Sequence, residues 1–347
     1  MNAMKILWDA ARVGQKRALP ILSFPAAQKL KVSVGELVQS AEMQAQAMAL
    51  VARETNTVAA VGLMDLSVEA EAFGASIRFA ENEVPAVTGR LVDGAEAADA
   101  LKVPSLNKGR APLYADAVKR AKAFIHDKPV LAGAIGPYSL AGRLMDVTEI
   151  FYACFDEPET VHTVLNKAAE YIIAYCNAFK AAGADGVVMA EPLAGLLNPI
   201  MAEEFSASYV ARILHAVQTE DFPVIYHNCG GAAVQMLPKL FEIRAAAYHF
   251  GNAVDMGEIL SKAPADALCM GNIDPAGLFA GGTPQDMRAA VRALMERCGR
   301  YPNFLISSGC DIPAHASWAN IGAFFDAVAE TNENQQQPRT GFVRGCW

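Results

Sequence analysis

One histidine and two cysteines of this chain have the types and positions that a metal site requires. His227 and Cys229 lie in residues 224–231, VIYHNCGG, and Cys310 lies in residues 304–311, FLISSGCD. Each run begins as a short apolar segment, typical of a buried strand, and ends in a turn that contains glycine. The three side chains would therefore converge if both strands belonged to one parallel barrel. One imidazole and two sulfurs form a ligand set that suits zinc, with a fourth position left for a substrate.

The spacing of these three residues leaves two interpretations open. His227 and Cys229 are two positions apart, so in an extended backbone their side chains lie on the same face. Cys310 follows Cys229 by 81 positions (310 − 229), so its contribution depends wholly on the fold. The alternative is a hydrogen-bonded histidine with two buried thiols, because two structural zinc ligands more often come as a Cys-x-x-Cys pair. Spacing alone does not separate the two.

Five further polar residues stand at the ends of strand-like segments, namely Asp65, Glu191, His249, Asn272 and Asp274. A barrel enzyme forms its active site where the carboxyl ends of the strands meet. We predict Glu191 as a weak fourth zinc ligand or an acid/base, with a helix cap or a salt-bridged loop residue as the alternative. Asp65 is predicted as a catalytic residue that holds substrate, with a cap of the next helix as the alternative. His249, Asn272 and Asp274 are predicted to bind a cofactor, with a structural histidine of fixed tautomer as the alternative for His249.

The elements that must position these residues alternate between strand and helix patterns. Seven strand-like segments are visible, with residues 19–23 as a candidate eighth; the seven cover residues 57–64, 129–135, 186–190, 223–227, 245–249, 267–271 and 303–307. Such alternation predicts βαβ units and a parallel sheet. Eight strands predict an α/β fold of the (β/α)8 TIM-barrel type. A doubly wound open sheet is the alternative, which the lack of a Gly-x-Gly-x-x-Gly opening after an early strand disfavours.

We predict one domain over residues 1–347, a length that suits a barrel with insertions. Residues 1–35 form an N-terminal helical extension, and a long amphipathic helix is predicted over residues 36–54. The charged, poorly periodic segment 66–110 is predicted to hold a hairpin or loop insertion over one end of the barrel. The polar residues 331–347 are predicted to form a loose tail.

Composition excludes several classes of protein. The formal net charge of −8 argues against non-specific nucleic-acid binding and against a polybasic membrane contact. No apolar run is long enough to predict a membrane span. Seven scattered cysteines, several in apolar surroundings, are typical of a reduced, cytoplasmic protein. Lys102, Lys108 and Arg110 form a small basic group, which we interpret as a solvated face or as a contact for an acidic partner or a cofactor carboxylate.

These motifs together resemble the uroporphyrinogen decarboxylase superfamily and, within it, the corrinoid-linked methyltransferase branch, which includes the methylcobamide:coenzyme M methyltransferases. The resemblance covers residues 36–329. It is carried by MDLSVEAEAFG at 64–74, GAIGP at 133–137, AEP at 190–192, HNCG at 227–230, GNIDP at 271–275 and GCDIP at 309–313.

The resemblance implies a (β/α)8 barrel and a catalytic zinc held by His227, Cys229 and Cys310. It implies transfer of a methyl group between a methylcobamide and a thiol such as coenzyme M. The corrinoid would arrive on a separate protein, since the chain has no Asp-x-His-x-x-Gly corrinoid-binding motif. A donor-side enzyme that demethylates a methylated compound and passes the methyl group to cobalt is a close variant, and tetrahydrofolate is an alternative acceptor.

Two other classes of function stay open beside methyl transfer. The decarboxylases of the superfamily hold substrate carboxylates with an arginine-rich N-terminal signature. The corresponding residues 19–25, LPILSFP, contain no arginine, so decarboxylation of a porphyrinogen is disfavoured. A non-catalytic tetrapyrrole- or corrinoid-binding barrel is the remaining alternative, and it would not need the His/Cys/Cys set.

Overall fold

A seven-stranded parallel sheet forms the centre of the fold in the computed structural model, which describes residues 1–336. In chain order the strands are β1 (Ala60–Val61), β2 (Ser76–Arg78), β3 (Ala86–Thr88), β4 (Val130–Ile135), β5 (Gly186–Ala190), β6 (Val224–Asn228), β7 (Ala247–Phe250), β8 (Leu268–Ile273) and β9 (Phe304–Ser308). The large sheet has the order β1-β4-β5-β6-β7-β8-β9, with every pair parallel. Each of its strands overlaps one of the seven predicted segments, and four of them extend one or two residues beyond it, which confirms the predicted α/β barrel architecture.

Helices precede, connect and follow the strands of this sheet. They are α1 (Ala3–Ala10), α2 (Ala26–Leu30), α3 (Val34–Leu37), α4 (Ala41–Glu54), α5 (Val68–Phe73), α6 (Ala95–Ala100), α7 (Ala111–Phe124), α8 (Pro137–Met145), α9 (Val147–Asp156), α10 (Pro158–Ala181), α11 (Pro199–Ala202), α12 (Ser208–Val217), α13 (Ala233–Glu242), α14 (Met256–Lys262), α15 (Pro284–Cys298) and α16 (Trp318–Gln336). A 3-10 helix covers Pro192–Leu196, and π-helical turns cover Glu203–Ala207 and Pro275–Ala280. Within residues 1–336, every helix is too short or too polar to cross a lipid bilayer.

The gap between the first and last strands of the sheet is filled by the segment around Ala18. Ala18 forms parallel bridges with both Thr57 and Ile306, and the N–H of Leu19 donates to the carbonyl of Ile306 at 3.1 Å. The predicted eighth strand is therefore present as an extended segment with isolated bridges. A regular ladder does not form because Pro20 has no N–H to donate.

Apolar side chains fill the inside of the barrel in layers, as in other (β/α)8 barrels. Ile225, Ala247 and Leu305 belong to one buried cluster, together with residues of the other strands. Leu7 and Ala10 of α1 belong to the same cluster, so this helix covers the amino-terminal end of the barrel. A second, larger cluster lies between the strands and the surrounding helices. The inside of the barrel is thus a packed apolar core, and a reaction site can form at its carboxyl end.

Lys16 lies at the amino-terminal end of this core. Its Nζ donates to the carbonyl oxygens of Ala11 at 2.6 Å, Tyr301 at 2.6 Å and Phe304 at 2.8 Å, and the residue is 1% exposed. Burial lowers the pKa of Lys16 to about 7. Three N–H groups meet three carbonyls, so the ammonium joins α1 to β9 with all of its donors used.

The predicted helix over residues 36–54 is in fact two helices, α3 and α4. Ser40 separates them, because its side-chain oxygen accepts the N–H of Met43 at 3.2 Å and begins a new helix as an N-cap. The predicted insertion does contain a hairpin, formed by antiparallel pairing of β2 with β3.

The predicted loose tail is wrong for its first residues, since α16 continues to Gln336. Asn332 explains the continuation: its Oδ1 accepts the N–H of Lys16 at 2.9 Å, and its Nδ2 donates to the carbonyl of Lys16 at 2.7 Å. The helix end is thereby tied to the base of the barrel. The rest of the predicted tail, residues 337–347, lies outside the described residues.

Candidate metal centre

A polar layer lies directly above the apolar layers inside the barrel. His227, His249 and Ser307 each stand two positions beyond an inward-facing apolar residue of the same strand, and side chains two apart share a face. The parallel register pairs His227 of β6 with His249 of β7. All three polar residues are buried. The carboxyl end of the barrel therefore places two imidazoles and a hydroxyl side by side.

The three predicted metal ligands come together just above this layer. Nitrogen and sulfur atoms of His227, Cys229 and Cys310 all lie within 4.8 Å of one another. His227 Nε2 is 3.4 Å from Cys310 Sγ. Two ligands of a tetrahedral zinc, one nitrogen at about 2.0 Å and one sulfur at about 2.3 Å, are about 3.5 Å apart. The donor types and the observed separation therefore fit a zinc ion bound by three protein ligands.

The loop after β7 passes close over Cys229 and fixes the backbone there. A Cβ at Gly251 would lie 2.6 Å from Cys229 Cα, so only glycine allows this approach. Asn272 holds the loop, because its Nδ2 donates to the carbonyl oxygens of Gly251 at 2.9 Å and Val254 at 2.8 Å. The structure thus uses the donors of Asn272 to shape the site, and its predicted contact with a cofactor stays a prediction.

The two sulfurs of the cluster interact directly. A hydrogen bond from the Cys310 thiol lowers the pKa of Cys229 to about 7. The same hydrogen bond, with burial, raises the pKa of Cys310 to about 12. Cys229 is therefore the thiol that loses its proton first, and Cys310 keeps its own. Binding of a divalent ion would release that remaining proton, because metal ligands must be deprotonated.

His249 lies against His227 instead of facing the open end. The two Nδ1 atoms are 2.8 Å apart, and His249 Nε2 is 2.7 Å from Ser307 Oγ. Burial lowers the pKa of His249 well below its usual value, and the neighbouring His227 adds to this shift. His249 is therefore a neutral, hydrogen-bonded imidazole with both nitrogens in use, and its predicted cofactor contact stays a prediction.

Glu191 follows directly after β5, and its backbone is next to that of His227. Its N–H donates to the carbonyl of His227 at 2.8 Å. Its carboxylate accepts the N–H groups of Tyr138 at 3.1 Å and Ser139 at 2.6 Å, at the amino terminus of α8. Burial raises the pKa of Glu191 to about 7. The carboxylate thus caps α8, which is the alternative named for it above, while its raised pKa keeps an acid/base role as a prediction.

Asp65 lies at the centre of a buried ionic cluster. Its Oδ2 accepts from an Arg110 nitrogen at 2.5 Å and from the Tyr114 hydroxyl at 2.8 Å, and its Oδ1 accepts the Ser67 hydroxyl at 2.5 Å. Arg110 also donates to Glu71 at 2.6 Å. These contacts tie the insertion to the barrel mouth. The interpretation of Arg110 as part of a solvated face is wrong, because Arg110 is itself buried and pairs with the buried Asp65 and the half-buried Glu71 of this chain.

Asp274 begins the π-helical turn Pro275–Ala280. Its Oδ1 accepts the N–H groups of Ala276 and Gly277, each at 2.9 Å. This is an N-cap contact, and the predicted contact of Asp274 with a cofactor stays a prediction.

Two polar atoms near the mouth lack a hydrogen-bond partner among residues 1–336, namely Nε of Arg143 and Oδ1 of Asp311. Burial lowers the pKa of Arg143, and the Asp65 carboxylate opposes that shift. Burial, with the neighbouring Cys310, raises the pKa of Asp311 well above its usual value. A buried polar atom without a partner is costly unless a ligand or water meets it. Both atoms therefore lack a partner that a polar ligand or a water molecule could supply.

Sequence reasoning missed Ser307 and the role of Arg110. Ser307 had a usable signal, since it stands two positions after the inward-facing Leu305 in an otherwise apolar strand. Arg110 had none, because its carboxylate partners are 39 and 45 positions away and only the fold brings them together.

The fold and the His/Cys/Cys cluster define a barrel with a candidate metal site at its mouth. Residues 17–331, most of the chain, match the family model described as uroporphyrinogen decarboxylase (URO-D). The chain belongs to the URO-D family.

Its relatives in this family differ in activity. Methylcobamide:CoM methyltransferase MtbA of Methanosarcina acetivorans is 27% identical over 289 residues, 81% of this chain and 83% of the relative. A uroporphyrinogen decarboxylase of Hydrogenovibrio crunogenus is 27% identical over 283 residues, 78% of each chain. A solved methyltransferase from Methanosarcina mazei superposes with a TM-score of 0.83 at 21% identity, over 95% of this chain and 99% of the other. The solved structure shows the shared fold, and the activity must be argued from the site.

Proposed function

We propose that this protein is a zinc-dependent methyltransferase that moves a methyl group between a methylcobamide, carried by a separate corrinoid protein, and a thiol such as coenzyme M. One observation carries the proposal: His227, Cys229 and Cys310 place one nitrogen and two sulfurs within 4.8 Å of one another at the barrel mouth. Among the relatives, the name of the MtbA methyltransferases supports the same reaction class.

The ligand set suits activation of a thiol. A free thiol is a poor nucleophile near neutral pH, because the thiolate is the reactive form. Zinc bound by these residues would deprotonate a coordinating thiol. Cys229 and Cys310 would contribute two thiolates and His227 a neutral imidazole, so a thiolate from the acceptor would bring the net charge of the zinc site to about −1 and would stay electron-rich. That sulfur would form the new bond to the methyl group as the methyl–cobalt bond of the corrinoid breaks. The electron pair of the broken bond would stay on cobalt, and the thiol proton would leave to solvent.

Two buried polar atoms without a partner, one next to Cys310 in sequence and one in α8, suit a second, polar part of the acceptor. Asp311 is adjacent in sequence to Cys310, and its Oδ1 has no partner in the part of the chain that the structure describes. The Nε–H of Arg143 is a donor that also lacks a partner among the described residues. We infer that the acceptor brings polar groups that meet these two atoms, since an apolar molecule would leave them unsatisfied.

Decarboxylation of a porphyrinogen is the competing reaction, because URO-D relatives match at the same identity. Two observations disfavour it. Residues 19–25 contain no arginine to hold substrate carboxylates, and Leu19, Ile21 and Leu22 are buried in the core. A metal-free decarboxylase would also have no use for the three converging ligands.

Metal analysis of purified variants tests the zinc site. We expect about one zinc per chain in the wild type and less than about a tenth of that in Cys229→Ser and Cys310→Ser, because each loses a thiolate ligand. Cys154→Ser is the matched control, since Cys154 is a buried cysteine that contacts the Tyr138 hydroxyl at 3.7 Å outside the site. Full zinc content in both site variants would remove the assignment.

The reaction itself is tested with methylcobalamin and a panel of thiols and tetrahydrofolate, followed by the absorbance of the corrinoid. We expect transfer to at least one thiol by the wild type and by Cys154→Ser, and none by the two site variants. Transfer to tetrahydrofolate alone would show that tetrahydrofolate, and not a thiol, is the methyl acceptor. Transfer to none of them, with demethylation of a methylated compound onto cobalt, would favour the donor-side enzyme. Activity on uroporphyrinogen would overturn the proposal.

A further inference from the structure

A chain of hydrogen bonds leads from the proposed metal ligand His227 to a backbone carbonyl. His227 Nδ1 is 2.8 Å from His249 Nδ1, and His249 Nε2 is 2.7 Å from Ser307 Oγ. Ser307 Oγ is in turn 2.6 Å from the carbonyl oxygen of Leu19. All four residues are at most 2% exposed, so water does not compete for these bonds. The chain crosses the barrel interior from β6 through β7 and β9 to the segment that closes the barrel.

The carbonyl at the end of the chain sets the direction of every hydrogen bond in it. A carbonyl oxygen can only accept, so the single hydroxyl proton of Ser307 must point to Leu19. Ser307 Oγ is then an acceptor for His249, and the proton of His249 lies on Nε2. A neutral imidazole has one N–H, so His249 Nδ1 is an acceptor and His227 must carry its proton on Nδ1.

Other placements of the protons in this chain of hydrogen bonds are unfavourable. If Ser307 donated to His249, its oxygen and the Leu19 carbonyl would stand 2.6 Å apart with no proton between them. If His249 carried both protons, it would bury a charge in the barrel interior without an acidic partner in contact. His227 Nδ1 also lies 3.3 Å from the His249 carbonyl, a second acceptor that favours the same proton position.

We propose that His249 and Ser307 are positioning residues that hold His227 in the tautomer with Nε2 unprotonated and directed at the two sulfurs. The inference rests on the proposed zinc site. A histidine ligand of a metal usually donates its other N–H to a carboxylate or a carbonyl, which fixes its ring and tautomer. Here the carbonyl of Leu19 fixes the proton of Ser307, Ser307 fixes the tautomer of His249, and His249 accepts the N–H of His227. His249 therefore acts through His227 and does not contact the substrate.

The test uses two adjacent serines of β9. Ser307→Ala removes the acceptor of His249 Nε2, so His249 and His227 are free to adopt the opposite tautomers, in which His227 Nε2 carries a proton and cannot bind metal. Ser308→Ala is the matched control, because Ser308 is equally buried and its Oγ accepts the N–H of Ile21 at 3.0 Å, outside the chain of bonds. Zinc affinity is measured on the full chain by competition with a chromophoric chelator, and Co²⁺ absorption spectra report the ligand set.

We expect Ser307→Ala to weaken zinc binding by about 10-fold to 100-fold, as is typical when a partner of a metal ligand is lost. Ser308→Ala should stay within about 3-fold of the wild type, a change of less than 1 kcal/mol in binding. His249→Asn should recover part of the affinity that His249→Leu loses, because the asparagine oxygen can replace Nδ1 as the acceptor. The Co²⁺ spectrum should change in Ser307→Ala and not in Ser308→Ala.

Three outcomes would overturn the inference. Equal zinc affinity in Ser307→Ala and wild type shows that the relay does not position His227. Equal losses in the two serine variants show a general effect of a buried hydroxyl. No zinc binding by the wild type removes the proposed function together with the inference, whereas the first two results leave the proposed function standing.

Discussion

The buried polar groups at the two ends of the barrel differ in whether all of their hydrogen-bonding atoms have partners. At the amino-terminal end, the three donors of Lys16 meet three backbone carbonyls. At the carboxyl end, the His227–His249–Ser307 chain runs in one direction and leaves Nε2 of His227 beside two sulfurs. The first network is complete and stabilises the fold. The second ends in atoms that can take a further partner, and this difference marks where a metal and a substrate would bind.

Whether a buried polar group has all of its hydrogen-bond partners, and not its position alone, separates structural from functional groups. Asp65 lies at the carboxyl end of the barrel, yet Ser67, Arg110 and Tyr114 use both of its oxygens. It resembles Lys16 more than it resembles His227. The role of Asp65 as a catalytic residue stays a prediction, and a substrate would have to displace one of these partners to reach it.

Replacing Lys16 tests the base of the barrel. Lys16→Met leaves three buried carbonyls without donors, so we expect the free energy of unfolding to fall by about 3 kcal/mol. Zinc content should stay at the wild-type value, because the two ends share no hydrogen bond. Urea unfolding and metal analysis of the same preparation check both points. A variant as stable as the wild type, or one that loses zinc while folded, would contradict the comparison.

The two ends should also respond to pH in opposite directions. Glu191, at the mouth, has a pKa raised by burial from 4.5 to about 7, so the folded state binds its proton more tightly. Its stabilising contribution is present below pH 4.5 and is lost as the pH rises through 7, by up to about 3 kcal/mol. For Lys16, burial lowers the pKa from 10.5 to about 7, so the folded state binds its proton less tightly and stability rises between pH 7 and 10.5.

Urea unfolding across pH 4–10.5 measures these two slopes. Glu191→Gln should remove only part of the fall in stability between pH 4.5 and 7, because burial also raises the pKa of Glu69 to about 7 and that of Asp311 well above its usual value. Lys16→Met should flatten the rise above pH 7 and leave the fall unchanged. An unaltered fall in Glu191→Gln would show that its carboxyl does not titrate in this range.

The smallest expected effect concerns Asp274. Asp274→Ala removes an N-cap, and we expect a loss of about 1 kcal/mol in the free energy of unfolding with methyl transfer unchanged. Asp274→Asn is the matched control, since asparagine keeps the capping oxygen. A drop in the rate of methyl transfer without a change in stability would instead support the predicted contact with a cofactor.

Several features of the fold and site could be predicted because they depend on local sequence. The alternation of apolar segments with helices predicted the parallel barrel, since side-chain periodicity reports which faces are buried. His227 and Cys229 could be paired because they are two residues apart on one strand. The break at Ser40 and the helical start of the tail were missed, because a cap and a distant contact with Lys16 decided them.

The sequence by itself determined which residues stand at the strand ends and on which face, because the period of a strand is a property of a few neighbouring residues. Only the tertiary structure decided which of these residues meet. Closure of the barrel brings Cys310 to His227 across 83 positions and Ser307 to Leu19 across 288. The tautomer that we propose for His227, and with it the proposed metal site, depends on hydrogen bonds between separate strands that no local pattern encodes.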